Sequence, residues 1–344
     1  MHIVLLDDGI AFDGNAPDRR PLGGAEKAFA HLAAALAARG HAVSAINRSA
    51  TQEMIAGVSW LPWETPRPPE ADAVIAFRKA RLLNEVAEAK HRILWLWDSP
   101  TTLSEEAEKD ALARNRPIIV FTGETHRKIL KVELKTVAIA PGIAEAYRVV
   151  PANSAAPQIA IVTTHPAHGL QRIVRLWRDR IHSSRPTAEL HIYSAGLRRA
   201  LDGGNLPDSL TSVLEDVRGG IGEGISVKAP LPDAGMADAY GRARAHFYPV
   251  VKHEMYASTL AESQAAGLPA IVRATGGATQ QLLERVHNGS TAYVTPDDDA
   301  FVNLANAVLD FDGAVYNNLA RAAREQQRGR SWDEAAAEFE ALLA

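Results

Sequence analysis

The chain has no cysteine in 344 residues. Disulfides, Cys-ligated zinc, iron–sulfur clusters and thiol nucleophiles are therefore excluded. It also lacks an uncharged apolar run of about 18 residues, so no segment reads as membrane-spanning. The opening apolar run, His2 to Leu6, is too short for a signal peptide and lacks a small-residue cleavage site. The expected setting is the cytoplasm. An excess of basic charge is missing too. The 37 Lys and Arg against 41 Asp and Glu give a net charge of −4, which argues against a general nucleic-acid binder. There is no GxSxG elbow and no Walker A lysine loop. Asp7-Asp8-Gly9 follows the first apolar run where G-x-G-x-x-G would mark a dinucleotide oxidoreductase. No set of His, Asp and Glu has metal-ligand spacing, so no metal site is expected.

What is present is ordinary globular composition, 47% hydrophobic and 23% charged, long enough for two domains at about 150 residues each. His2–Leu6 reads as a buried parallel strand. A polar loop follows, then Gly23-Gly24 and a helix with Phe29, Leu32 and Leu36 at helical spacing, closed by Gly40. Strands are expected at 41–46, 73–77, 92–97, 117–121 and 136–140. The Pro-, Ala- and Ser-rich stretch 151–158 reads as a linker. Beyond it the alternation restarts: strands at 159–162, 189–193, 224–227, 245–249, 269–272 and 291–294, helices at 171–181 and 259–264, and a closing amphipathic helix at 332–342. This is an α/β chain of two doubly wound, Rossmann-like domains, 1–150 and 151–325, with a C-terminal segment 326–344. Two such halves imply a cleft, and ligands of open α/β sheets bind beyond the carboxyl ends of the strands.

The stretch 253–277 carries the most chemistry. Seven residues separate Glu254 from Glu262. A helix beginning near Ala257–Ser258 puts Glu254 in the preceding loop and Glu262 about one turn inside, both able to face one helix end. The amides of Tyr256, Ala257, Ser258 and Thr259 would then be unpaired and positive, which suits a phosphate. Carboxylates beside that site suit ribose or sugar hydroxyls. On spacing alone, an amphipathic helix with two surface glutamates is the stronger reading.

This stretch resembles the signature of the retaining glycosyltransferases of family 4, the glycosyl transferases group 1, which have the GT-B architecture. The matching residues are Glu254, Tyr256-Ala257, Glu262, Ala265-Ala266-Gly267-Leu268-Pro269 and Gly276-Gly277, continuing through His287-Asn288-Gly289 and Thr295-Pro296-Asp297. PLGGAEKAF (21–29) is similar to the family's N-terminal glycine-rich loop, APGI (140–143) to its interdomain-edge loop, and SWDEAAAEFEALL to its closing helix, which packs back on the N-terminal domain. The resemblance spans nearly the whole chain.

It implies a metal-independent transferase that moves a sugar from a nucleotide-diphosphosugar, first of all a UDP- or GDP-sugar, to an acceptor hydroxyl, with no further cofactor. The donor would bind the C-terminal domain and the acceptor the N-terminal one. Glu262 would hold ribose and Glu254 the donor sugar. The amides of Met255, Tyr256, Ala257, Ser258 and Thr259 would take the pyrophosphate and sugar hydroxyls. Gly23 and Gly24 would let backbone approach the same diphosphate. The base would sit near Lys228-Ala229-Pro230.

Two positions depart from the family pattern. The loop after the first C-terminal strand reads Thr163-Thr164-His165-Pro166-Ala167-His168-Gly169. His168 stands at the family's lysine position, and the family's arginine falls on Thr164 or His165. An imidazole can substitute when a neighbouring phosphate protonates it. Trp97-Asp98 stands where relatives carry His-Asp, which leaves Asp98 as the catalytic candidate there, with Glu254 and His168. These departures also motivate a second reading: a catalytically degenerate GT-B protein that binds nucleotide or glycan, or scaffolds a partner.

Arg19 and Arg20 either supply missing positive charge or are solvated loop residues. His126 and Arg127 either face the cleft or lie on a surface helix. Asp297-Asp298-Asp299 has the form of another class's Asp-x-Asp metal motif but reads better as a helix N-cap. Trp60 and Trp63 read as a surface aromatic pair, lining an acceptor site or packed locally.

Overall fold

The computed structural model describes residues 1–151, 157–251, 255–275, 282, 284–310 and 313–344. Glu254, Gly276, Gly277 and most of the stretch read as a linker lie outside them. Two compact units divide the chain, Met1–Ala144 with Arg330–Ala344, and Glu145–Gly329.

The N-terminal unit holds eight strands: β1 (His2–Leu6), β2 (Ala42–Asn47), β3 (Glu53–Ile55), β4 (Val58–Pro62), β5 (Glu70–Phe77), β6 (Glu88–Leu96), β7 (Ile118–Phe121) and β8 (Thr136–Ala138). Their order is β3-β4-β2-β1-β5-β6-β7-β8. β3 pairs antiparallel with β4, and the other pairings are parallel. Ile3, Val4, Leu5 and Leu6 of β1 are fully buried, each contributing about 1.5–3 kcal/mol of apolar burial. Helix α1 (Gly24–Ala38) buries Phe29, Leu32 and Leu36, and Gly40 follows its end at φ +90°, the left-handed conformation that closes helices on glycine.

The β3–β4 hairpin corrects the reading of Trp60. Ala56 and Gly57 take φ +49° and +78°, the backbone of a two-residue hairpin turn. That turn sends Trp60 inward, 1% exposed, with its ring 5.8 Å from Phe12 and 6.0 Å from Phe29. Trp60 is therefore core, while Trp63 is half-buried under the Arg67 guanidinium.

The closing helix, Trp332–Glu340, belongs to this unit. Ser331 and Glu334 form a reciprocal capping box at its start. Arg39, just past α1, holds Asp333 at 2.9 Å and Glu340 at 2.6 Å. The chain before it passes so close to Gly142 that a Cβ there would stand 2.5 Å from the Trp332 amide nitrogen.

The C-terminal unit has six parallel strands, β9 (Ile159–Val162), β10 (Glu189–Tyr193), β11 (Ile225–Lys228), β12 (Ala245–Val250), β13 (Ala270–Ala274) and β14 (Ala292–Thr295), ordered β11-β10-β9-β12-β13-β14. Four of its helices matter below: α2 (Leu170–Leu176), α3 (Asp233–Gly241), α4 (Ser258–Ala265) and α5 (Asp298–Asp310). The helix expected to run unbroken to Ile181 instead widens over Trp177–Ile181, where the Trp177 indole donates to the Glu223 carbonyl at 2.8 Å. The Asp297–Asp299 run is capping chemistry: Asp297 accepts the Ala300 amide at 2.7 Å, Asp298 holds Arg172 and Arg273, and Asp299 holds Arg180.

Candidate functional site

In a parallel sheet all the strands deliver their following residues to one edge, and polar chemistry gathers there. In the N-terminal unit that edge carries Asp7 and Asp8 after β1, Arg78 after β5 and Asp98 after β6, beside the entry to α1. Asp7 is 2% exposed. Arg78 reaches Asp7 at 3.2 Å and Glu26, in the first turn of α1, at 3.0 Å. Burial, then Glu26 and Asp8, raise Asp7 above the ordinary aspartate range against the pull of Arg78. Burial would lower Arg78, but the charges of Asp7, Glu26 and Asp98 outweigh it and hold the guanidinium higher. Loss of surrounding solvent and the Glu26 charge raise Asp98 as well. Asp8 is the exception: burial would raise it, but hydrogen bonds from Lys79 and Arg81 hold it below its ordinary value.

Gly23 is the N-cap of α1, with no side chain capping the helix, and Gly24 is its first residue. Glu26 folds back over Gly23 into the space a Cβ would occupy. His126, expected on the surface or in a cleft, is 1% exposed. Its Nε2 is 3.0 Å from the Asp98 carbonyl and its Nδ1 3.0 Å from Thr122 Oγ1, so it fixes the backbone at Asp98. Arg127 stays at the surface on Glu124. Trp97 turns into the aromatic core, 5.8 Å from Trp95 and 6.0 Å from Phe77. Arg20 is exposed and donates to the Ala11 carbonyl.

In the C-terminal unit the corresponding edge carries the 163–169 loop after β9 and the approach to α4 after β12. His165 is exposed and its Nδ1 accepts the Ala167 amide at 3.2 Å, and its ring lies 5.4 Å from that of half-buried His168. Thr164 is 6% exposed, and its buried Oγ1 has no hydrogen-bond partner among the described residues. A buried hydroxyl without a partner costs about 1–3 kcal/mol, which marks a place where a ligand or solvent oxygen belongs.

Met255, Tyr256 and Ala257 lead into α4, which opens with Ser258 and Thr259 and whose N-cap, Ala257, offers no side-chain cap. The Ser258 amide, expected to be unpaired, instead donates to the Tyr256 carbonyl at 3.0 Å, because the chain turns tightly at Ala257. The Tyr256 ring lies under the Arg285 guanidinium at 4.3 Å. Glu262 is 8% exposed. Its charge, after burial, raises the Tyr147 and Tyr240 hydroxyls well above their ordinary value, and Tyr147 donates to Asp233 Oδ1 at 2.8 Å. The Lys228 carbonyl beside the expected base site accepts the Ser194 amide at 3.0 Å.

The site candidates thus fall into two sets. Gly23, Gly24 and Asp98 share the edge of one sheet; Thr164, His165, His168, Met255–Thr259 and Glu262 share the edge of the other. Sequence reasoning missed the Asp7–Arg78–Glu26 cluster, whose signal was the pair of acids ending β1. It also missed the buried link between the 163–169 loop and α4. His246 of β12 lies 3.0 Å from Thr163 Oγ1 through Nε2 and 2.7 Å from Ser263 Oγ through Nδ1. Among the described residues no three His, Asp or Glu gather as a metal site, and no helix is long and apolar enough to cross a membrane.

No family model matches the chain, and no curated protein matches it by sequence. Solved structures do. A sucrose-phosphate synthase from Thermosynechococcus elongatus is 15% identical with a TM-score of 0.69, covering 99% of this chain and 98% of the other. A glycosyltransferase from Rickettsia africae is 14% identical at a TM-score of 0.70, covering 99% and 97%. Anabaena HepE in complex with UDP-glucose is 15% identical at 0.68, covering 99% of each. The fold is that of the GT-B glycosyltransferases, with a Rossmann-like parallel sheet in each unit.

Proposed function

We propose that this protein is a retaining, metal-independent glycosyltransferase of the family-4 type that moves a sugar from a nucleotide-diphosphosugar to an acceptor hydroxyl. The observation that supports it most is the Thr164 hydroxyl, buried without a partner among the described residues, on the loop that His246 ties to helix α4. A helix N-terminus with no side-chain cap suits a diphosphate. Bound UDP and UDP-glucose in HepE favour a uridine donor, with guanosine the next to try.

In this reading Glu262 holds the ribose and Glu254 the donor sugar. The Met255–Thr259 segment, with Thr164, His165 and His168, takes the diphosphate. The N-terminal unit contributes Gly23, Gly24 and Asp98, and binds the acceptor. Departure of the nucleotide builds negative charge on the β-phosphate, and the α4 amides and His168 offset it. The acceptor hydroxyl attacks the face the leaving group vacates, and the leaving phosphate takes its proton.

The test is release of free sugar and nucleoside diphosphate from UDP- and GDP-sugars, followed by NMR with and without EDTA. An α-donor giving α-product at an EDTA-insensitive rate is the expected result. β-product, or a rate abolished by EDTA, contradicts the retaining, metal-free reading; no turnover of any donor favours the degenerate binding protein.

A further inference from the structure

His246 is the second residue of β12, opposite Ile161 of β9 and Ala270 of β13, and is fully buried. Both ring nitrogens are engaged. Ser263 has one hydroxyl hydrogen, which it donates to the Leu260 carbonyl at 3.0 Å. It must therefore accept from His246 Nδ1, 2.7 Å away. Nδ1 then carries the ring proton, Nε2 is a bare lone pair, and Thr163 donates to it at 3.0 Å. The ring sits between Tyr240 and Tyr248, whose centroids are 5.8 and 5.2 Å away.

A leucine of similar bulk would fill this place at less desolvation cost, since burying a polar ring is unfavourable unless both nitrogens are bonded. What the imidazole adds is direction. Thr163 is the first residue after β9 and precedes Thr164. Ser263 lies on α4 next to Glu262. Gly169 closes the same loop at φ +105° against Pro249 and Val251 of the β12 end, where a Cβ would stand 3.2 Å from each.

We propose that His246, as its neutral Nδ1–H tautomer, is a positioning residue that sets the spacing between the 163–169 loop and helix α4, and so the register of a bound diphosphate. The proposal rests on the donor-site reading above and deepens it. Burial pushes the ring down to about 3, so the bonding pattern persists through the neutral range. A group that only filled space would affect all ligands of the unit alike. A spacer between two phosphate-binding segments acts on the diphosphate and spares the nucleoside.

The experiment compares the wild type with Thr163→Val, Ser263→Ala and His246→Leu by calorimetric titration with UDP and UMP, and with GDP and GMP. Thermal unfolding of each variant reports its folding, and Thr163→Val keeps the test usable if His246→Leu does not fold. The diphosphate should weaken about tenfold or more in each folded variant and the monophosphate less than about threefold. Unchanged affinities, or equal weakening of both ligands, overturn the positioning role while leaving the donor site standing. Failure of the wild type to bind any of the four overturns both. Independently, ¹⁵N spectra of the ring should show Nδ1–H and no titration from pH 5 to 8 (about two units above the value at which it titrates). An Nε2–H ring, or titration within that window, contradicts the assignment.

Discussion

Arg78 stands 3.0 Å from Glu26, and the same guanidinium nitrogen reaches Asp7 at 3.2 Å. One cation therefore joins the end of β1, the end of β5 and the first turn of α1. Arg78 does this from a left-handed backbone, φ +68°, which costs a residue with a Cβ about 1–2 kcal/mol. Arg78→Ala keeps that strain and leaves buried carboxylates unpaired, and should destabilise by about 3 kcal/mol. Arg78→Gly relieves the strain and should lose about 1 kcal/mol less. Denaturant midpoints check both. An alanine cost below about 1 kcal/mol removes the cluster's structural role.

Gly142 faces the backbone of Ser331 and Trp332. A side chain there has only backbone to displace. Gly142→Ala should cost about 1–3 kcal/mol, read from urea unfolding. A change within about 0.5 kcal/mol would show that the chain can move aside at this point.

These contacts show where sequence reading stops. β1 and β9 were legible because each is a continuous apolar run, halted by Asp7-Asp8-Gly9 in one case and by a threonine pair in the other. Helix α1 was legible from Phe29, Leu32 and Leu36 and its terminal Gly40. The β3–β4 hairpin was not, because Ala56 occupies a left-handed turn position where glycine or asparagine would have signalled it. Trp60 accordingly passed for a surface ring. The candidate site was open to reading only where its residues are contiguous, as in 255–269. Thr163, His246 and Ser263 meet from separations of 83 and 17 residues, and Arg78 meets Glu26 across 52. Neither grouping has a spacing that a linear pattern could reveal.

Thr164→Val separates stability from binding. It replaces a buried hydroxyl that lacks a partner among the described residues with a methyl group, so the free protein should gain about 1 kcal/mol. Nucleoside diphosphate binding should weaken about tenfold, equivalent to about 1.4 kcal/mol. Thermal unfolding and calorimetric titration on one preparation measure both. A destabilised variant with unchanged binding would show that the hydroxyl serves the fold.

Acid should weaken the fold before the carboxylates protonate. Burial lowers His246 from 6.5 to about 3, so the unfolded chain takes up its proton first. The stability from burying a neutral ring is complete above pH 6.5 and is lost as pH falls from there toward 3. The slope is at most about 1.4 kcal/mol per pH unit. His191, also lowered, first by burial, adds in the same direction. Urea unfolding from pH 6.5 to 4.5 should show the decline, and His246→Gln should have a shallower one. Equal slopes in the two proteins would exclude His246 as the source.

The most direct test of a nucleotide-sugar site on the C-terminal unit is thermal unfolding with UDP, GDP, ADP, CMP and dTDP, with and without Mg²⁺, in the wild type and in Glu262→Ala. A ligand at about 100 times its Kd stabilises by about 2.7 kcal/mol, a rise of a few degrees for a chain of this size. A magnesium-independent rise with one nucleoside diphosphate, lost in Glu262→Ala, is the expected result. No rise with any nucleotide, or the same rise in both proteins, would contradict that site.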